Sequence, residues 1–355
     1  MAQSHFIILN GKTISSEEIM QLTPEITANS AIPKWEKELY RFLIEWFSDS
    51  DFVMAQTSGS TGEPKSIELA KSILIKSAER TIEYFGLQKG DRLLLSLSCQ
   101  YIAGKMMVVR AIMGQMNLIA VDPASDFDFP EQEIFELGAM VPNQVFKILE
   151  QPSGKEKLQH IRNLLIGGSG ISSALESRIS QLSSRIVSTY GMTETASHIA
   201  IRELSGNLKS DSYQCLSGIS VSLSEGGCLQ IHLPELKAAL QTNDLAELKS
   251  ETSFKILGRA DSVIISGGIK YSPEAIEKKL GGLFHQRFVI SSVHDDKLGE
   301  KLVLVIEGKP FKIDTLEQKL TKLLTSYELP KSIIFLDKFP ETTSGKLIRN
   351  EIKGN

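Results

Sequence analysis

Between residues 93 and 191, short apolar runs that end in small or polar residues alternate with segments of helical period. No other feature of the chain narrows its possible folds so far. LLLSLS (93–98), NLIAVD (117–122), NLLIGG (163–168) and RIVSTYG (185–191) read as buried strands. Ser66–Tyr84, Ala103–Met116 and Ile171–Ser183 carry helical spacing around and between them. Strand, loop, helix, strand at this interval predicts an α/β fold: a large N-terminal α/β domain with mainly parallel sheets flanked by helices. Ligands of such sheets bind beyond the carboxyl ends of the strands. The polar, Gly-rich loops after these runs are therefore the places to look for chemistry.

From about residue 262 the texture changes. SVIISGG leads into a helix from Pro273 to Leu280, then FVISSVH, KLVLVIEG, a helix near Thr315–Leu324, and SIIFLDKF. This predicts a small C-terminal α+β domain joined through LGRAD (257–261). The expected organisation is an N-terminal domain over 1–258, a hinge at 259–261 and a mobile domain over 262–355. No repeat or low-complexity tract interrupts it.

The charge balance excludes some partners. With 39 basic and 43 acidic residues the net charge is −4, which lacks the basic footprint of a nucleic-acid binder. An anionic ligand must then be held by a few local groups. The three cysteines, Cys99, Cys215 and Cys228, are odd in number, widely spaced and free of CxxC, which argues against a disulfide framework or a zinc site. The opening MAQSHFIILNGKTIS is too polar for a signal peptide, and no run of 18 apolar residues is present. A cytoplasmic protein without membrane insertion is expected; oligomeric state is left open.

The strongest local signal is QTSGSTGEPK, Gln56–Lys65. The hydroxyls of Thr57, Ser58, Ser60 and Thr61 sit with Gly59, Gly62 and the Lys65 ammonium. Glycines let backbone N–H groups approach an anion, hydroxyls add donors, and lysine supplies charge, which together suit a polyphosphate. A Ser/Thr/Gly run alone is more often a flexible surface turn. The run is not a Walker A loop either, because Pro64 stands where that loop needs Gly before Lys.

This order resembles the phosphate loop of the adenylate-forming superfamily: acyl-CoA synthetases, peptide-synthetase adenylation domains and luciferases. Seven further segments continue the resemblance in order. They are AMVPN (139–143), GGSG (167–170), YGMTE (190–194), QTND (241–244), GRAD (258–261), SGG to Pro273 (266–273) and SGK (344–346), the last followed by Arg349. The resemblance implies an enzyme that uses ATP and Mg²⁺ to form an acyl-adenylate from a carboxylic acid, then transfers the acyl group to coenzyme A. Gly168 and Ser169 would border the adenine, and Tyr190, beside Gly191, would offer it an aromatic face. Taken alone, Tyr190 reads rather as a core tyrosine. Thr193 would donate to the α-phosphate. Glu194 would hold Mg²⁺, which favours carboxylate and phosphate oxygens. Asp244 would accept from the ribose hydroxyls with Arg259 nearby, and Asp261 would be the hinge residue. Asn243 stands where the family has Gly.

Lys346, in PETTSGK, resembles the lysine that bridges carboxylate and α-phosphate during adenylation, where positioning and cationic stabilisation supply most of the catalysis. Gly267 and Gly268 would leave room for the pantetheine arm when the tail domain turns. Ile269 and Lys270 replace the Glu-Asn common there.

The acid itself is read from YIAGKMMVVRAIMGQM (101–116), which is apolar except for Lys105, Arg110 and Gln115. A cation buried in such a helix needs a partner. A structural ion pair or a snorkelling side chain is one reading; a substrate carboxylate on Arg110 is the other. The segment resembles H-x-[SG]-G-x5-R of o-succinylbenzoate–CoA ligases, enzymes of menaquinone biosynthesis. Gly104 and Arg110 keep the spacing, while Tyr101 and Ala103 replace the His and the Ser/Gly. TETAS (193–197) resembles the same group, which puts Ser197 and His198 in the acyl pocket; His198 as a core residue is the alternative. The phosphate loop begins at residue 57, where most of the superfamily has more than a hundred residues before it. A reduced N-terminal subdomain and a small acid are therefore expected. Two other readings remain: an adenylating enzyme for another small or aromatic carboxylate, including one that loads a carrier protein, and a non-catalytic nucleotide-binding protein. The second would be favoured by loss of Lys346 or Glu194, and both are present.

Overall fold

The computed structural model describes residues 5–56, 66–123, 133–284, 286–311, 316–341 and 347–352, apart from the side chains of residues 173, 174 and 350. The chain divides into two compact units: Met1–Gly170 with Ile179–Ile219, and Ile171–Arg178 with Ser220–Asn355.

The first unit begins with β1 (Phe6–Leu9), β2 (Lys12–Ser15), α1 (Ser16–Ala28) and α2 (Lys34–Phe47). Ser15 starts α1 through a reciprocal cap: its hydroxyl accepts from the Glu18 N–H at 3.2 Å, and the Glu18 carboxylate accepts from the Ser15 N–H at 2.7 Å. β3 (Phe52–Gln56), β4 (Ser66–Ala70), α3 (Lys71–Phe85), β5 (Arg92–Leu95), α4 (Ile102–Gly114) and β6 (Asn117–Ala120) follow. Next come β7 (Phe135–Met140), α5 (Pro142–Glu150), α6 (Gly154–Gln159) and β8 (Ile161–Ile166). After α7 (Ser173–Ile179), most of which belongs to the second unit, the chain forms β9 (Arg185–Met192), β10 (Ser197–Glu203) and β11 (Tyr213–Cys215).

Nine of these strands lie side by side in the order β11-β10-β9-β8-β7-β5-β6-β1-β2. β9, β8, β7, β5, β6 and β1 are parallel. The four apolar runs singled out in the sequence supply β5, β6, β8 and β9, and Leu93, Leu118, Leu164 and Val187 on them are fully buried. The predicted mainly parallel α/β sheet is thus present. Its parallel strands β5, β7, β8 and β9 bring four carboxyl ends to one edge, as the expected location of the site requires. Hydrogen bonds stitch that edge: Ser96 Oγ donates to the Ala139 carbonyl at 3.0 Å, and the Gly167 N–H to the Met140 carbonyl at 3.2 Å.

Two helical expectations change. Residues 66–70 of the predicted Ser66–Tyr84 helix form β4, which pairs with β3 in the register Phe52↔Ala70 to Gln56↔Ser66. SIELA alternates in burial once β3 is available as a partner, and the helix starts only at Lys71. The predicted Ile171–Ser183 helix is shorter, Ser173–Ile179.

In the second unit β12 (Ser220–Leu223), β13 (Cys228–His232), β14 (Leu240–Ser250) and β15 (Ser253–Arg259) form an antiparallel meander. The tail carries β16 (Ile264–Ser266), β17 (Ile269–Tyr271), α8 (Pro273–Lys279), β18 (Phe288–Asp295), β19 (Gly299–Glu307), α9 (Leu316–Leu323) and β20 (Ser332–Leu336). All its predicted strands and helices are found, making the expected small α+β module. It closes two clusters of its own: one around Ile276, Leu304 and Leu320, the other around Val303, Phe339 and Ile352.

Candidate active site

α4 carries both cations of the apolar segment, and the structure separates them. Lys105 donates to the Glu45 carboxylate at 3.1 Å and to the Met54 carbonyl at 2.8 Å, and its ammonium lies 4.6 Å from the Phe42 ring centre. It is a structural ion pair. Arg110 is 1 % exposed and has no carboxylate partner among the described residues. Its NH2 group donates to Ser197 Oγ at 3.2 Å and lies 3.5 Å from His198 Nδ1; NH1 points at the Met107 sulfur at 3.4 Å. Its Nε is buried with no acceptor. Burial pushes the guanidinium from its ordinary 12.5 down to about 9. Gly104 lets the helix reach this place, since a Cβ there would stand 2.3 Å from the Ser98 carbonyl oxygen.

The YGMTE segment forms the end of β9 and a 3-10 turn, Thr193–Thr195. Gly191 pairs with His198 across β9 and β10, and a Cβ at 191 would come 2.1 Å from the Ser197 carbonyl oxygen. The turn returns through Ala196 (φ 54°) and Ser197 (φ 127°), a left-handed stretch that non-glycine residues rarely adopt. Buried Thr195 holds it, its hydroxyl accepting from the Met192 N–H at 3.0 Å and donating toward the Met192 and Ser197 carbonyls. Backbone strain of about 1–3 kcal/mol at such a residue persists where the surroundings impose it. Here it aims the Ser197 hydroxyl at Arg110. His198 is 6 % exposed, and burial together with the facing Arg110 charge holds its pKa well below 6.5. Thr193 and Glu194 are half-buried, and Glu194 has no ion-pair or hydrogen-bond partner among the described residues. Tyr190 packs against Tyr213 with ring centres 5.7 Å apart. Gly168 (φ 86°) and Ser169 are exposed after β8. Tyr101 caps α4 and bridges to Gln56.

The second unit holds the remaining predicted residues. Asp244 and Arg259 are partners in the β14–β15 register. Arg259 Nε donates to Asp261 Oδ1 at 2.8 Å, its NH2 donates to Asp261 Oδ2, and NH1 reaches Asp244 Oδ1 at 3.4 Å. The Arg259 hydrogen bonds hold the Asp261 carboxyl below its ordinary value. Gly267 (φ 56°) and Gly268 (φ 82°) make the two-residue turn between β16 and β17, where both positions require left-handed backbone. Arg349 is gripped by both Glu277 oxygens at 2.8 and 2.6 Å.

Thr57, Ser58, Gly59, Ser60, Thr61, Gly62 and Lys65 lie outside the described residues, as does Lys346. The flanks are described: Gln56 pairs with Ser66, and Glu341 bridges to Leu347. The structure thus brings Arg110, Ser197 and His198 together within the first unit, with Gly191 beneath them. One participant escaped the sequence reading: Thr81 on α3, whose hydroxyl lies 3.3 Å from His198 Nε2. At 117 positions from His198, in a plain helical pattern, it leaves no signal in the sequence. A shallow cleft of about 400 Å³ between α1 and α2, lined by Thr23, Pro24, Thr27, Ala28, Arg41 and Ile44, contains none of these residues.

A mainly parallel sheet flanked by helices, with GGSG after β8 and YGMTE at the end of β9, places the protein in the α/β class. The family follows from comparison with known proteins: a family model described as AMP-binding enzyme matches residues 13–221, and the chain belongs to that family. Similar proteins include the 2-succinylbenzoate–CoA ligase of Lactococcus lactis subsp. lactis (strain IL1403), 26% identical over 328 residues that cover 85% of this chain and 70% of that one. An acyl-CoA synthetase (AMP-forming)/AMP-acid ligase II-like protein from Dyadobacter fermentans DSM 18053 is 33% identical, covering 93% of this chain and 96% of that one, with a TM-score of 0.61. The o-succinylbenzoate CoA synthetase of Bacillus subtilis, solved with its acyl-adenylate intermediate, shares the fold at a TM-score of 0.75 and 18% identity, covering 100% of this chain and 96% of that one. Among the described residues no helix is long and apolar enough to cross a membrane.

Proposed function

We propose that the protein is an ATP-dependent acid–CoA ligase whose acid carries a second anionic group, and that this acid is o-succinylbenzoate, the acid named in the Lactococcus relative. The observation that carries the reading is Arg110: a buried cation with a hydrogen-bonding fork only partly used and, among the described residues, no carboxylate beside it. Removing a charge from water without an anion is costly, so a substrate carboxylate is its natural counter-ion. Lys105, one and a half turns earlier, shows how the same helix treats a purely structural cation.

In the first half-reaction the acid's carboxylate attacks the α-phosphorus of ATP and pyrophosphate leaves. Thr57–Lys65 would cradle the β- and γ-phosphates, Thr193 would donate to the α-phosphate, and Lys346 would draw the two anions together. Among the described residues no cluster of three or more His, Cys, Asp or Glu side chains occurs. Glu194, a partly exposed carboxylate without a partner among the described residues, fits Mg²⁺ held mostly by phosphate and water. That ion, when bound, would neutralise phosphate charge. Tyr190, Gly168 and Ser169 would frame the adenine, and Asp244 with Arg259 the ribose. In the second half-reaction the coenzyme A thiol attacks the acyl carbon and AMP leaves. The tail module, with a core of its own, would turn about Arg259–Asp261 and present Gly267–Gly268. Wide cysteine spacing supports a reducing, cytoplasmic setting.

Tyr101 and Ala103, which depart from the o-succinylbenzoate pattern, favour a second reading in which another small or aromatic acid is used. Pyrophosphate release and coenzyme A consumption with o-succinylbenzoate, benzoate and a medium-chain fatty acid separate the readings. Turnover restricted to o-succinylbenzoate supports the first; turnover with benzoate alone supports the second. ATP binding with no pyrophosphate from any acid would make the protein a nucleotide-binding module.

A further inference from the structure

Arg110, Ser197, His198, Thr81 and Ser77 form one run of hydrogen bonds, buried except at half-buried Ser197, whose two ends fix the protons between them. A guanidinium only donates, so Arg110 NH2, 3.5 Å from His198 Nδ1, requires that nitrogen to accept. The Ser197 hydroxyl accepts from Arg110 at 3.2 Å and turns its own proton to the same nitrogen at 3.3 Å. At the far end a carbonyl only accepts: Thr81 Oγ1 gives its proton to Ser77 O at 3.0 Å and keeps a lone pair for the ring. His198 Nε2, 3.3 Å from Thr81 Oγ1, therefore carries the ring proton. The imidazole is neutral, as the Nε2–H tautomer.

We infer that Thr81 is a positioning residue for acid recognition: by accepting the Nε2 proton of His198 it keeps Nδ1 open to Arg110 and holds the guanidinium in place for the acid's second anionic group. The inference rests on the proposed role of Arg110 and moves His198 from substrate contact to support, since both its ring nitrogens are used within the protein. Without the Thr81 oxygen, Nε2–H is left without an acceptor in a buried site. Shifting the proton to Nδ1 then sets an N–H against the guanidinium, donor facing donor.

The tautomer is read first, on the free protein at neutral pH, by long-range ¹H–¹⁵N correlation with His198 assigned through its loss in His198→Gln. The expected spectrum shows Nε2 protonated and Nδ1 bare in the wild type and in Thr81→Ser, with Nδ1–H populated in Thr81→Val. An Nδ1–H or doubly protonated ring in the wild type overturns the inference, and so does an unaltered tautomer in Thr81→Val. If Thr81→Val does not fold, the wild-type spectrum decides. The KM for o-succinylbenzoate should rise about 5- to 10-fold in Thr81→Val, the weight of one buried hydrogen bond, with the KM for ATP unchanged and Thr81→Ser near wild type. An unchanged KM for the acid overturns the inference. Should the wild type process no such acid, the substrate reading fails and the spectra alone judge the positioning role.

Discussion

Replacing Arg110 with methionine should make the protein more stable and worse at its reaction. Burial lowers the guanidinium from 12.5 to about 9, a fall of about 3.5 pH units. At about 1.4 kcal/mol per unit this is about 5 kcal/mol of unfavourable charge burial. The hydrogen bonds to Ser197 and His198 offset about 1–1.5 kcal/mol each. The net penalty is then about 2 kcal/mol, within the range found when buried ions are exchanged for apolar residues of similar length. Methionine matches the arginine stem and meets Met107 where NH1 does now. For a unit of this size, Arg110→Met should melt about 4–8 °C higher by calorimetry. The wild type, but not the variant, should gain melting temperature on adding o-succinylbenzoate. A variant that melts several degrees lower would show that Arg110 supports the core, and the reasoning from an uncompensated charge would be wrong.

Three further outcomes follow from the geometry and the proposed roles. Lys346→Ala should abolish pyrophosphate release with o-succinylbenzoate while a preformed acyl-adenylate still reacts with coenzyme A; equal loss in both halves contradicts the assigned role. Gly191→Ala places a methyl 2.1 Å from the Ser197 carbonyl oxygen, so a denaturant titration should show a loss of about 2–4 kcal/mol, and an unchanged midpoint would contradict the close approach. His198 has a folded pKa below its unfolded 6.5, so the unfolded chain takes up the proton. Its contribution is full above about pH 6.5 and is lost as pH falls, at about 1.4 kcal/mol per unit relative to His198→Gln, as paired urea titrations at pH 6.5 and 5 should show. Parallel acid profiles would mean that His198 is already charged in the fold.

The parallel sheet was legible because β5, β8 and β9 bury successive residues on both faces, and β6 buries Leu118, so that they read as continuous apolar runs. The tail module was legible for a related reason: its strands alternate with two helices at short intervals. β4 was not legible, since SIELA has a strand's burial only when β3 lies beside it, and a pairing partner is not written into the segment itself. The candidate site divides in the same way. Arg110 stands out as a cation in an apolar run, and Gly104 marks where a helix meets backbone. What Lys105 and Arg110 each face could not be read, because Glu45 and Ser197 reach them from 60 and 87 positions away. Thr81 was hidden for the same reason, and only the folded chain shows that its hydroxyl completes the His198 contact.

The central claim is tested most directly by pyrophosphate release from ATP and Mg²⁺ with o-succinylbenzoate, set against the same acid esterified at its ring carboxylate, which leaves the reacting succinyl carboxylate free. Release with the free diacid and little with the ester is the expected result. Equal release from both, or none from either, contradicts the account.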